Sequence, residues 1–144
     1  MVKIERTATI NAPVEKVFEY LSQPTNLPEI WPSMVEVKDF KDTPDHIGSA
    51  YNWVYKMAGM RFEGSSECVE FVTNKRTVSK SKGSITSTFD YIFEAVDKQT
   101  RFIMKVEYII PIPLLGKLAE TFIKKQNEHE ADVFMANLKA RMGD

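Results

Sequence analysis

Two polar side chains interrupt an apolar stripe near the end of the chain, and that interruption is the strongest local signal for chemistry. From Leu114 to Arg141 the sequence LLGKLAETFIKKQNEHEADVFMANLKAR contains no proline, and Leu115, Leu118, Ala119, Phe122, Val133, Ala136 and Ala140 recur at the spacing of one helix face. Gln126 and His129 fall on that same face, about one turn apart, where packing alone would place leucines. An imidazole that titrates near neutrality can act as a general base or donate a hydrogen bond to a ligand carbonyl, with Tyr108 or Tyr91 as the matching acid. The plainer alternative is a histidine satisfied within the core or at its rim.

Other chemistries find less support. His46, His129 and Cys68 are the only nitrogen or sulfur ligands, they are widely separated in sequence, and no paired spacing occurs, so neither a metal nor another cofactor is expected. There is no G-x-S-x-G motif and no glycine-rich phosphate loop, and Cys68 has no basic sequence neighbour to lower its pKa. It reads as a small hydrophobe in a sheet.

The elements that must position these residues are legible from period and punctuation. Residues 2–10 alternate, with Val2, Ile4, Ala8 and Ile10 on one side and Arg6 interrupting them, so Arg6 needs a polar partner or an edge. Pro13 opens a short helix carrying Val14, Val17, Phe18 and Leu21, Pro24 closes it, and Leu27–Trp31 fits one more turn before Pro32. After residue 34 come strands joined by short turns at Thr43-Pro44-Asp45, Ala58-Gly59, Thr73-Asn74-Lys75 and residues 97–100. Phe62 and Cys68 alternate on one side and Val69 and Phe71 on the other, which predicts a bulge near Cys68. Pro111-Ile112-Pro113 ends the sheet and starts the long helix, and Gly143 can end it. The expected fold class is α+β: a strand, two short helices, six further antiparallel strands and a long helix, in a single domain spanning 1–144.

Composition narrows the partners. The 144 residues carry a net charge of −1, with 27% charged and 43% hydrophobic residues, which suits one globular domain and gives no electrostatic reason for nucleic-acid binding. The first ten residues lack the apolar core of a signal peptide, no run approaches a membrane span, and the lone cysteine excludes an internal disulfide, so the cytoplasm is the expected compartment. The run NKRTVSKSKGS concentrates Lys75, Arg76, Lys80 and Lys82, the last three on one strand face, but Glu63, Glu67, Asp90 and Glu94 are expected beside them, giving a mixed-charge outer surface. The tip Met57-Ala58-Gly59-Met60 suggests a flap over a cavity mouth, or a transient contact with a membrane or an unidentified protein partner.

Alternation gathers Tyr51, Trp53, Tyr55, Phe62, Phe89, Tyr91, Phe93, Phe102 and Tyr108 on the face that meets the helix, among the smaller Gly64, Ser66, Thr77, Ser79 and Ser81. Several tyrosines on a buried face need partners for their hydroxyls, and aromatics mixed with small polar residues are a common cavity lining. The candidate ligand-binding residues are Trp31, Tyr51, Trp53, Tyr55, Phe62, Phe89, Tyr91, Phe93, Tyr108, Phe122, Gln126 and His129.

The opening INAPVEKVFEYLSQPTNLPEIWP, the closing IPIPLLGKLAE and the strand order between them resemble the SRPBCC superfamily, the START-like helix-grip proteins. The nearest resemblance is to polyketide cyclase/dehydrase-like members and to the G-type accessory proteins of carbon monoxide dehydrogenase. It implies a seven-stranded antiparallel sheet gripping the last helix, with the two short helices closing one end of a hydrophobic ligand cavity. No catalytic motif comes with it. The leading expectation is a carrier or binding protein for a hydrophobic small molecule such as a lipid, isoprenoid, quinone or polyketide-like compound. The alternatives are a cyclase/dehydratase-type enzyme using His129 and a cavity tyrosine, and an accessory protein that docks on a larger complex.

Overall fold

A computed structural model gives the backbone of residues 2–57, 59–109 and 116–143, with side chains except at 116–120. The elements run β1 (Val2–Ile10), α1 (Val14–Leu21), a 3-10 turn (Pro24–Asn26), α2 (Leu27–Ile30), β2 (Met34–Lys41), β3 (Ala50–Met57), β4 (Met60–Val72), β5 (Arg76–Gly83), β6 (Thr86–Val96), β7 (Gln99–Ile109) and α3 (Gly116–Met142). The strands form one sheet ordered β1-β7-β6-β5-β4-β3-β2, antiparallel at every pairing. Only β1 pairs out of sequence, because the chain leaves the sheet for α1 and α2 before returning at the opposite edge.

Proline punctuation sets the helical corner. Pro13 caps α1, Pro24 opens the 3-10 turn and Pro28 sits in the first turn of α2, where missing amide protons cost nothing. The alternation read from the sequence is kept in β1, and the ladder between β4 and β5 shifts register between Cys68 and Glu70, the bulge that reconciles the two faces of β4. Arg76 of β5 makes two bonds to the Asp90 carboxylate of β6, at 2.9 and 2.8 Å, so this cation belongs to a mixed-charge surface. Arg6 meets its expected partner across the molecule, its Nε donating to Asp132 Oδ1 of α3 at 2.7 Å.

Helix α3 packs with a different face from the one its pattern predicts. Ile123, Ala131, Phe134, Met135, Leu138 and Met142 are buried, whereas Phe122 is 62% exposed and His129, Ala136 and Ala140 also face solvent. The buried stripe lies one position further along, a rotation of about 100°. The physical reason is volume: Phe134, Met135, Leu138 and Met142 remove far more apolar surface from water than Val133, Ala136 and Ala140, at roughly 25 cal/mol per Å². Leu115, Leu118 and Ala119 of the predicted stripe, and Pro111-Ile112-Pro113, lie outside the described residues or side chains. Gly143 ends α3 with φ of +112°, as a helix stop requires.

The methionines of the β3–β4 tip face inward rather than toward a surface partner. Met57 is buried and Met60 packs against the core. No helix among the described residues is long and apolar enough to cross a membrane.

Candidate functional site

The site follows from which side chains meet in rows across the sheet. One row runs Tyr51, Ser66, Ser81, Ser87, Tyr108 and Val2, so three serines occupy its middle with a tyrosine at each side. The adjacent row sets Trp53 opposite Gly64 and Gly64 opposite Gly83. Small residues in two neighbouring rows leave the concave face unfilled beneath α3.

The Trp53 indole uses that space. A Cβ at position 64 would stand 2.4 Å from Trp53 Cζ2 and 2.3 Å from the Lys82 carbonyl oxygen, closer than atoms approach, so only glycine permits this arrangement.

The result is a cavity of about 90 Å³ between sheet and helix. Its walls include Trp31, Trp53, Tyr55, Phe89, Met104 and Phe134, and its floor holds Ser66, Ser81 and Ser87. Trp31 is the hub of the wall, with ring centroids 5.5 Å from Tyr55, 5.2 Å from Phe89 and 6.1 Å from Phe134.

Polar groups enter this apolar space at few points. Tyr55 donates to Asn127 Oδ1 at 3.2 Å, and Asn127 Nδ2 donates to the Tyr108 hydroxyl oxygen at 2.8 Å, a relay from β3 through α3 to β7. Glu130, one helical turn further, accepts from the Ser33 amide at 3.0 Å and also lines the cavity. The Trp53 Nε1 proton is buried with no acceptor among the described residues. Burial pushes the Tyr55 phenol up, and the Glu130 carboxylate adds to this, against partial offsets from Trp31 and Ser33. Burial raises Tyr108 likewise, with the Asn127 bond pulling it down. Both phenols are therefore neutral donors at physiological pH.

The sequence candidates divide accordingly. Trp31, Tyr51, Trp53, Tyr55, Phe89 and Tyr108 line the cavity. Tyr91 borders a second, smaller hollow behind Tyr51 and Phe89. Phe62 is buried outside both linings, and Phe93 packs at 5.0 Å from Phe18 and 5.2 Å from Phe102 in solid core. His129 and Phe122 face solvent, because the inward face of α3 is the neighbouring one. Gln126 is half-buried with its Oε1 unpartnered among the described residues, outside the cavity lining.

Sequence reasoning missed Asn127, Glu130, Ala131 and Phe134, which are what the described part of α3 contributes. Their signal was available in the bulk of the stripe that contains Phe134, Leu138 and Met142. No group of His, Cys, Asp and Glu suited to a metal occurs among the described residues.

The same chain can be set beside known proteins. The profile described as polyketide cyclase / dehydrase and lipid transport matches residues 1–143. No curated protein matches the sequence. Among solved structures, the Zhui aromatase/cyclase from a Streptomyces species superposes with a TM-score of 0.81 at 13% identity, covering 98% of this chain and 93% of that one. A START superfamily protein from Mycobacterium smegmatis gives 0.81 at 12% identity, covering 97% and 96%. The Thermus thermophilus protein TTHA0849 gives 0.76 at 19%, covering 98% and 97%. At these identities the likeness establishes the fold.

Proposed function

The chain belongs to the polyketide cyclase/dehydrase and lipid transport family, within the START/SRPBCC superfamily, and from that premise we propose that it binds a hydrophobic small molecule between sheet and α3 as a carrier or binding protein. Lipids, isoprenoids, quinones and polyketide-like compounds share the required chemistry, an apolar body with few polar atoms. The observation that carries this reading is a cavity walled by aromatics whose Trp53 N–H has no acceptor among the described residues. A buried unpaired donor costs about 1–3 kcal/mol, which a ligand oxygen beside it would recover. Apolar contact with the walls would supply most of the affinity, at roughly 25 cal/mol per Å².

Native mass spectrometry of the purified protein, compared with the denatured chain, tests the reading. A co-purifying apolar compound supports it. An empty protein whose tryptophan emission is unmoved across a lipid, quinone and polyketide panel overturns it.

An enzymatic reading has one observation of its own. Glu130 and the Tyr55 and Tyr108 phenols stand around the same cavity, a carboxylate and neutral acids of the kind a cyclase or dehydratase uses for proton transfer. In this reading Glu130 replaces the solvent-facing His129 as the base. Glu130→Gln then abolishes turnover while leaving ligand affinity within a few fold, whereas in the carrier reading there is no turnover to lose.

A further inference from the structure

Behind the cavity lies a second hollow of about 70 Å³, enclosed by α1, the β2–β3 connection and strands β4 to β6. Tyr51, Ser66 and Phe89 line both spaces, so a single layer of side chains divides them. Their linings differ in kind. The front is mostly aromatic and aliphatic, while the rear is bordered by Ser22, Ser49, Thr77, Ser79, Tyr91 and the His46 ring.

Three polar groups of the rear hollow could meet an occupant. Tyr91 is 8% exposed and brings its phenol to the lining of this hollow. Ser22 Oγ is buried without a partner among them. His46 directs Nδ1 to both Asp42 carboxylate oxygens, at 2.9 and 3.0 Å, while its ring lies 4.4 Å from that of Phe71, which fixes the imidazole.

A buried hydroxyl left unpaired, as at Ser22, destabilises a protein unless an occupant completes it. The charge nearby is acidic: Asp42, Asp45 and Glu67 add to burial in pushing the Cys68 thiol up. That field disfavours an anionic occupant.

Resting on the binding reading above, we infer that the two hollows are one site for an elongated amphiphile. Its apolar body lies in the front among Trp31, Trp53 and Phe134. Its uncharged hydroxyl or carbonyl head passes Tyr51 and Phe89 to meet Tyr91 and Ser22 in the rear.

The chain carries its own pair of reporters. Its two tryptophans both line the front, and its single cysteine, Cys68, lines the rear. The test titrates 1-decanol, with decanoate as the charged counterpart, into the full chain. It follows tryptophan emission, the rate of Cys68 alkylation by iodoacetamide at alkaline pH, and bound stoichiometry by native mass spectrometry.

One decanol per chain should change the emission and slow alkylation with a single midpoint, the slowing reaching roughly tenfold at ten times Kd. Decanoate should protect Cys68 several-fold less, and Tyr91→Phe should weaken decanol roughly five- to tenfold while leaving the fold intact. A change in emission with no protection of Cys68, or two decanols with separate midpoints, overturns the joined site and leaves the binding reading standing. Equal protection by decanoate overturns the uncharged head. Silence from both tryptophans with every probe instead defeats the binding reading itself.

Discussion

Two aromatic regions of the same sheet, built by the same alternation, pack in opposite ways. Toward α1, Phe93 pairs across the strands with Phe102, and Phe18 and Phe134 close over them with centroids 5.0 to 6.5 Å apart, leaving no space between the rings. Toward β3, two of the large aromatics face small partners, Trp53 opposite Gly64 and Tyr51 opposite Ser66, while Tyr55 stands opposite Phe62 where the cavity wall closes. Phenylalanine fills the first region and carries no polar atom. Tryptophan and tyrosine dominate the second, where their N–H and O–H groups can reach an occupant. At Trp53 and Tyr51 the space is therefore left by the small partner across the strand, not by the aromatic itself.

Substitution separates the two regions. Phe102→Ala, at a position with 0% exposure, should cost about 3–5 kcal/mol in denaturant unfolding; a loss below about 1 kcal/mol would mean that this region is not solid. Gly64→Ala forces a Cβ into Trp53 and the Lys82 carbonyl oxygen, so about 1–3 kcal/mol of stability should go together with a shifted tryptophan emission. Unchanged emission would show that Trp53 does not depend on the gap. Tyr108→Phe leaves the Asn127 amide without its acceptor and should weaken ligand binding by about 1–3 kcal/mol in calorimetry, with the fold kept.

Alkali probes the container as a whole. All five tyrosines are raised from their ordinary value, chiefly by burial, Tyr20 to about 12 with help from its bond to Glu29. The unfolded phenol titrates near 10, and the folded state holds its protons to higher pH. This contribution to stability is thus complete below pH about 10 and is lost as pH rises through the raised values. Absorbance at 295 nm should stay flat through pH 10 and rise only as the protein unfolds. An early rise of one tyrosine's amplitude would identify a wet hydroxyl. The smallest effect belongs to His129→Ala, which should change neither stability by more than about 0.5 kcal/mol nor ligand affinity, because His129 faces solvent. A large loss of affinity would return that face of α3 to the site.

The misplacement of His129 shows where sequence pattern runs out. Strand alternation has a period of two and one buried side, so β3, β6 and β7 can be read residue by residue, and proline marks the ends of the short helices. In α3 two adjacent stripes are both apolar: Phe122, Val133, Ala136 and Ala140 on one, Ile123, Ala131, Phe134 and Leu138 on the next. Period alone cannot choose between them, and the sheet chooses by volume. The Asp42–His46 contact was hidden for another reason. Its residues sit in an irregular connection, where His46 has φ of +68° and a four-residue spacing carries no facial meaning.

The serine row beneath α3 has a consequence for how long the protein lasts. A core left unfinished by Ser66, Ser81 and Ser87 is completed by whatever occupies it, and any ligand bound only by the folded chain adds to its stability in proportion to the logarithm of its concentration. At a hundred times Kd this amounts to about 2.7 kcal/mol, enough to change the unfolded fraction, and with it exposure to proteolysis, by roughly a hundredfold. On the proposed binding function, the abundance of the protein would track that of its ligand, the empty container being degraded before the full one.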